Sequence, residues 1–419
     1  MEMLSFINYL ISLLFVVCYF YQFLYIPIKI FSHKKPGNEN VENKKYAVLI
    51  CARNEEKVIG ELLDSIHQQT YPQEKITIFV MADNCNDNTE KIARNKGAVT
   101  YCRTDKVLVG KGYALDAMLK SIIREYPNQF DGYFIFDADN ILKANYIEEM
   151  NRVFAEGNDI VTSYRNSKNY DSNWISAGYA LSFLRESQFL NGARYIIHSS
   201  CAVSGTGFLV SKEIIEEQKG WPFHLLTEDI EFSIHHITQG KKIAYCEKAV
   251  LFDEQPTKFS QSVHQRLRWV KGYIQVFNKY GKELITNSLK GNFSCFDMLM
   301  NSMPAFVLSI ISIVLNVVLS VDAAICGNDY MIAFKSIAQF FLNMYLTLFI
   351  LGLITTITEW RNIYTSCQKK ILYIFTFPFF MFTYIPISLA ALFLKVSWKP
   401  IEHGKYRNNF GGQMKNVWN

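Results

Sequence analysis

Apolar and polar positions fall into three zones along this chain. Residues 4–30 are almost free of charge, residues 44–296 alternate short apolar runs with amphipathic stretches, and long apolar runs return at 298–325, 332–358 and 371–394. In the middle zone, residues 46–51 (YAVLIC) and 76–82 (ITIFVMA) read as buried strands, and 133–136 as another. Between them, residues 57–69 carry Ile59, Leu62, Leu63 and Ile66 at helical spacing. Residues 89–96 read as a helix that stops at Gly97, and 112–124 as a further helix. Alternating strands and helices predict an α/β domain, a parallel sheet with helices on both faces. In such sheets ligands bind beyond the C-terminal strand ends, so the polar residues just after each strand are the ones to weigh.

The apolar ends are long enough to matter. Roughly 20 apolar residues cross a bilayer core as a helix. The first run is followed by Lys29, Lys34 and Lys35 rather than by a small-residue cleavage site, and Glu2 precedes it. It therefore reads as an anchor, not a signal peptide, with the middle zone on the cytosolic side. Near the C-terminus the connection at Asp322, Asp329 and Tyr330 lacks Lys and Arg, whereas the one with Arg361, Lys369 and Lys370 has them. Positive-inside logic puts the first outside and the second in the cytosol. One more pass would leave the C-terminus outside, against Lys395, Lys399, Lys405, Arg407 and Lys415. Pro378 and Pro386 allow a kinked or re-entrant last stretch instead, and both topologies stay open. The expected division is a transmembrane helix at 1–31, a cytosolic domain at 32–295 with interfacial helices towards its end, transmembrane helices at 296–395 and a tail at 396–419. A multi-pass protein of the plasma membrane follows.

Composition agrees with that division. The 419 residues are 50% hydrophobic and only 19% charged, below the quarter usual in soluble domains. The net charge of +5 contains no basic block, which gives no reason to expect a nucleic-acid partner. The nine cysteines include no CxxC pair, and Cys18 sits in an apolar run, so they read as reduced thiols rather than a disulfide framework.

Six constellations carry candidate chemistry. Ala52-Arg53-Asn54-Glu55-Glu56 follows the first strand, and Asp83-Asn84-Cys85-Asn86-Asp87-Asn88 the second. Asp87 and Asn88 precede a helix and read best as its cap. Asp137-Ala138-Asp139 ends the strand at 133–136. Alternate side chains there can put two carboxylates beside one hard cation, and Mg²⁺ is held by one or two carboxylates plus substrate phosphates. Gly110-Lys111-Gly112 is a turn, or a helix start at which Lys111 meets a diphosphate. Thr227-Glu228-Asp229 opens an amphipathic stretch, either as an N-cap or as the bearer of a general base. Gln265-Arg266-Leu267-Arg268-Trp269 lies in a helical run before the last apolar stretches, where Arg268 and Trp269 taken alone also suit a membrane interface.

Taken in this order, Asp, DxD, TED and QxxRW resemble the membrane-bound processive glycosyltransferases of family 2, a group that includes cellulose, hyaluronan, chitin and poly-N-acetylglucosamine synthases. The resemblance spans about residues 46–280 by motif. It implies a Rossmann-like, nucleotide-sugar-binding domain of GT-A type between membrane helices. Its site would place Arg53, Glu55 and Asp83 on the uridine, Lys111 near the nucleotide, and Asp137 and Asp139 on Mg²⁺ or Mn²⁺, with Asp139 the more direct ligand. Asp229 would be the base. Gln265, Arg268 and Trp269 would close over diphosphate and acceptor. Ser204-Gly205-Thr206-Gly207 looks like the loop bordering the acceptor sugar, beside Glu228, although a plain glycine turn fits it equally. The implied reaction is inverting transfer from a UDP-sugar to a growing β-linked polysaccharide exported through the bilayer. UDP-glucose and a β-1,4 or mixed β-1,3/β-1,4 glucan lead, with UDP-N-acetylglucosamine polymers or non-processive lipid glycosylation as alternatives. Accessory export or regulatory proteins stay open as partners. Three departures touch regulation and sugar identity: one N-terminal span is expected where cellulose synthases carry more, the Asp83–Asp87 stretch differs from the usual Asp-Gly or Asp-Ser, and the expectation is that the chain after the last span leaves no room for a cyclic-dinucleotide sensor.

Overall fold

Strand register sets where the chemistry sits. The computed structural model describes residues 2–32, 41–302, 330–398 and 403–404, with scattered positions between 310 and 325. In chain order, α1 (Glu2–Phe31) precedes β1 (Tyr46–Ala52), α2 (Ile59–His67), β2 (Ile76–Asp83), α3 (Thr89–Asn95), β3 (Val99–Arg103), α4 (Lys111–Glu125) and β4 (Gly132–Asp137). Next come β5 (Ile141–Leu142), α5 (Tyr146–Phe154), β6 (Ile160–Ser167), α6 (Trp174–Arg185), a π-helical turn (Glu186–Asn191) and α7 (Gly192–Ile196). Then follow β7 (Phe208–Ser211), α8 (Lys212–Gln218), α9 (Glu228–Thr238), β8 (Ile243–Asp253), α10 (Phe259–Leu289) and α11 (Phe293–Ser302).

Two units emerge. The sheet unit comprises Phe31–Asn169, Phe183–Pro256 and Ser397–Asn419, the helical unit Met1–Ile30, Tyr170–Ser182 and Thr257–Val396. The sheet has eight strands in the order β3-β2-β1-β4-β7-β6-β8-β5. Its first four strands are parallel, as the alternation predicts, and β1, β2 and β4 are covered on both faces, which is why they read as unbroken apolar runs. The expected all-parallel sheet needs correction beyond β4. β7 runs antiparallel to both β4 and β6, and β5 antiparallel to β8, while β6 and β8 are parallel. The cause is local: β7 is entered from a loop held at the C-terminal end of β4, where the Gly207 amide bonds the Ile135 carbonyl at 2.9 Å, so the chain can only run back. Register pairs Ala52 with Ala82 and Cys51 with Asp137, so the C-terminal ends of β1, β2 and β4 share one edge.

Among the described residues, the helical unit contains three helical stretches long and apolar enough to cross a membrane: Tyr9–Phe31, Ile337–Thr358 and Cys367–Phe393. Val17, Phe20, Leu346 and Phe375 are exposed on them, as lipid-facing side chains would be. The last stretch is two helices, Cys367–Phe382 and Tyr384–Phe393. Pro378 is tolerated inside the first, and the break falls at Thr383, three residues before Pro386, whose ring cannot donate to the carbonyl four residues back. Arg266, fully buried, donates to the Phe380 carbonyl at 3.3 Å and to the Thr383 hydroxyl, with its guanidinium over Phe380 and Tyr384. It thereby supplies the polar partner that a helix break needs away from water. The expected span at 298–325, the loop at Asp322 and Asp329, and most of the 396–419 tail lie outside the described residues.

The glycines around Lys111 have distinct jobs. Gly110 has φ +141°, at the N-cap of α4. A Cβ at Gly112 would lie 2.1 Å from the Phe223 carbonyl oxygen. That backbone cannot yield easily, since Trp221 and Phe223 pack on Phe232 of α9, Trp221 stacked at 4.7 Å. Gly112→Ala should therefore lower the melting temperature of the purified chain, at a cost of about 1–3 kcal/mol typical of overpacking. Gly97→Ala, with no atom within 4 Å of its Cβ but φ +81°, separates backbone strain from this clash.

Candidate active site

The loops after β1 and β2 are zipped together. Asn54 Oδ1 accepts the Asn86 amide at 2.7 Å, Thr89 Oγ1 accepts the Glu55 amide at 2.8 Å, and Asp87 Oδ2 accepts the Glu56 amide at 3.1 Å. Asp87 also takes the Thr89 amide at 3.0 Å, so it caps α3, whereas Asn88 makes no side-chain cap bond and instead donates to Glu56. Beneath this wall Asp83 is buried, one oxygen committed to Arg103 at 2.7 Å and to Asn84 at 3.1 Å. Arg53, expected on the nucleotide, has its guanidinium 5.1 Å from the Trp398 ring.

The DxD is at the end of β4, as its position in the sequence suggests. Lys111 Nζ bonds the Asp137 carboxylate and also donates to the Gly205 carbonyl at 2.7 Å. Burial alone would lower the Lys111 pKa, but Asp137 and Glu228 outweigh it and hold the ammonium protonated. One cation thus links the first Asp of the DxD to the Ser204–Gly207 loop. Thr206 completes that link, its hydroxyl accepting the Asp137 amide at 2.9 Å. The loop is more than a plain turn: Gly205 and Gly207 have φ +78° and +68°, and a Cβ at Gly207 would sit 1.9 Å from Leu251.

Asp229 lies in the first turn of α9, where a carboxylate is favoured by free backbone amides. Its Oδ2 is 3.5 Å from where a Cβ on Gly205 would be. The loop is tied to that turn because the Val203 amide donates to Ser233 Oγ at 2.9 Å, and Ser233 in turn donates to the Asp229 carbonyl at 2.9 Å. Thr227 occupies the N-cap position without capping; its buried hydroxyl has no partner among the described residues.

Asp139 is buried and faces a different set. It accepts the Glu254 amide at 2.9 Å. Burial acts to raise its pKa, but His403, Lys168, that amide and Arg165 together hold it below the usual carboxylate range. His403 bonds Glu55 at 2.8 Å, and the Gly404 amide bonds Glu254 at 2.9 Å. Burial opposes charge on His403, yet Asp139, Glu55 and Glu254 raise it to about 10. A place that raises a histidine so far attracts positive charge, so these residues fit a divalent cation. Among the described residues no three His, Cys, Asp or Glu converge as a metal cage, so Asp139 and Asp137 would supply part of an oxygen shell and substrate phosphates the remainder. Neither His403 nor Trp398 carries a motif, and only distance in space reveals them.

Gln265, Arg268 and Trp269 lie on α10 in the helical unit, with Trp269 edge-on to Tyr179 at 5.6 Å and the Gln265 carbonyl oxygen without a partner. Arg266, which sequence reasoning passes over, is the member of this run with a buried structural task.

A mixed α/β sheet whose DxD, Ser204–Gly207 loop and acidic helix start lie together fits a nucleotide-sugar transferase. The chain belongs to the glycosyltransferase like family 2, whose model matches residues 43–272. It is 26% identical over 260 residues to the probable glycosyltransferase YdaM of Bacillus subtilis (strain 168), covering 57% of each chain. It is 21% identical over 245 residues to a beta-monoglucosyldiacylglycerol synthase of Synechocystis sp., covering 58% of this chain and 50% of that one. The chain spans about half the length of the curated relatives it matches. In fold it is similar to the mannosyltransferase PcManGT from Pyrobaculum calidifontis, solved with GDP-Man and Mn²⁺, at TM-score 0.59 and 15% identity over 91% of this chain and 98% of that one.

The helix that bears Asp229 contains its own acid sensor. His236 on α9 is buried, its Nδ1 bonded to the Phe232 carbonyl and its Nε2 to Gln218, each at 2.8 Å. Burial lowers its pKa from 6.5 to about 4, with His235 and Lys241 adding to the effect. A depressed native pKa means that the unfolded chain binds the proton first as pH falls. Stability is therefore full above pH 6.5 and declines from there to about pH 4. Melting temperatures across this window should show the decline, and His236→Gln should flatten it; an unchanged slope in that variant refutes the assignment.

Proposed function

We propose that this protein is an inverting, membrane-bound hexosyltransferase that transfers glucose from UDP-glucose and extends a β-linked glucan processively, with its sheet unit in the cytosol. The observation that carries the reading is the Lys111 bridge: one ammonium contacts the DxD at Asp137 and the Gly205 carbonyl, and Asp229 lies against the same loop. Donor carboxylate, acceptor-side backbone and base are then within one small space, as direct displacement requires.

In this reading the walls at Arg53–Glu56 and Asp83 hold the uridine, and the free oxygen of Asp83 accepts a base N–H. Asp139 and Asp137 would hold Mg²⁺ or Mn²⁺, which when bound would supply electrostatic stabilisation for the leaving diphosphate. Lys111 adds a fixed positive charge at the same edge. Asp229 takes the proton of the attacking hydroxyl, and attack from the face opposite the diphosphate converts an α-linked donor into a β-linkage. The membrane helices lead the polymer out.

A lipid acceptor is the second reading. It is favoured by the similarity to the Synechocystis beta-monoglucosyldiacylglycerol synthase. Purified full-length chain given labelled UDP-glucose, with and without dioleoylglycerol, separates the two. Polymer that is cleaved by β-glucanases supports the first; label in a chloroform-soluble glycolipid supports the second. Turnover of UDP-N-acetylglucosamine in place of UDP-glucose would correct the donor.

Asp229→Asn should lower turnover about 10²–10⁴-fold, the usual contribution of a general base. UDP affinity by calorimetry should stay near that of the wild type, because a base acts on the transition state. Wild-type turnover in this variant would remove Asp229 from the mechanism.

A further inference from the structure

Glu186 is a carboxylate that the scheme above leaves unused. It opens the π-helical turn Glu186–Asn191, a local insertion that often re-aims a side chain at a functional site. The turn does not depend on it. Ser187 pins the backbone to β6 by accepting the Arg165 amide at 3.0 Å and donating to the Arg165 carbonyl at 3.3 Å.

The Ser204 loop does not depend on Glu186 either. Arg165 donates to the Ser204 carbonyl at 2.9 Å and to its hydroxyl at 3.3 Å. That guanidinium is itself fixed by Asp253, which accepts from Nε at 2.6 Å, and by the Phe183 ring at 3.6 Å. Among the described residues, Glu186 retains one long hydrogen bond, accepted from the Ser204 hydroxyl at 3.5 Å. A half-buried carboxylate with so little to accept is an acceptor group in want of donors. Burial is the largest influence on its pKa and raises it, Arg165 and Arg194 pull it back, and the charge of Asp229 is near enough to act on it. Glu186 and Asp229 therefore flank the Ser204–Gly205 backbone together.

We infer that Glu186 is a further acceptor-binding residue: it accepts a hydroxyl of the acceptor sugar at the Ser204–Gly205 loop and so determines which neighbouring hydroxyl reaches Asp229. This rests on the transferase reading above and adds linkage selection to it. A carboxylate suits the task because a sugar ring presents adjacent O–H donors, and a charged acceptor strengthens such bonds.

The test uses the full-length chain in detergent with UDP and Mg²⁺, and cellobiose as the probe. Saturation-transfer NMR should show cellobiose binding to the wild type. Glu186→Ala should weaken it about tenfold or more, as expected for loss of a hydrogen bond to a charged group. Glu186→Gln, which keeps the shape and one accepting oxygen, should recover part of the affinity. UDP affinity, read by calorimetry on the same samples, should hold in both variants and also shows that they are folded. Failure of the wild type to bind cellobiose, or equal binding by Glu186→Ala, overturns the assignment. Loss of UDP affinity in both variants would do so as well, by making Glu186 a structural residue. Turnover of UDP-glucose and of UDP-N-acetylglucosamine by the wild type is scored separately: absence of both defeats the transferase reading, whereas cellobiose binding alone decides Glu186. Where turnover occurs, Glu186→Ala should also mix the linkages in the product.

Discussion

The parallel register of β1, β2 and β4 is the constraint on which the site depends. Because Cys51 is opposite Asp137 and Ala52 opposite Ala82, three strands stop at one level, and each must be followed by polar chain. The Arg53–Glu56 loop, Asp83 and the DxD all emerge from that level. A one-residue slip in β4 would turn Asp137 and Asp139 to the other face, since side chains alternate along a strand. The buried aromatic packing of Tyr46, Phe134 and Phe136 against Tyr146 is what makes such a slip costly.

The site is electrostatically paired in the absence of any substrate. Asp83 has Arg103, Asp137 has Lys111, Asp253 has Arg165, and the Asp139 region has His403 and Lys168. Buried carboxylates left without a counter-charge would be costly, and the protein supplies its own cations for these. The arrangement also divides labour. Lys111 and Arg165 both reach backbone carbonyls of the Ser204–Gly205 loop, so the loop is positioned by the same cations that balance the carboxylates.

Much of this was legible in the chain because it is local. The strands β1, β2 and β4 are continuous apolar runs, and polar residues immediately after them mark the edge. α9 begins at Glu228, inside the TED motif. The second half of the sheet was not legible, since β7 has only four residues and its direction is set by where a loop docks. Long-range partners were hidden for the same reason: His403 meets Glu55 across 348 positions. Thr227 suits a helix cap by residue type and occupies that position, yet among the described residues its buried hydroxyl caps nothing. Arg266 reads as one more basic residue of an interfacial run until the helix break at Thr383 shows what it holds.

The shared ammonium of Lys111 has a thermodynamic consequence. Asp137 and the Gly205 carbonyl draw on the same charge, so a ligand that competes for either changes what the other holds. Linkage makes the effect reciprocal: whatever factor the donor nucleotide imposes on the affinity for acceptor, the acceptor returns to the nucleotide. Under the proposed roles, heterotropic cooperativity between the two substrates would follow from this single side chain.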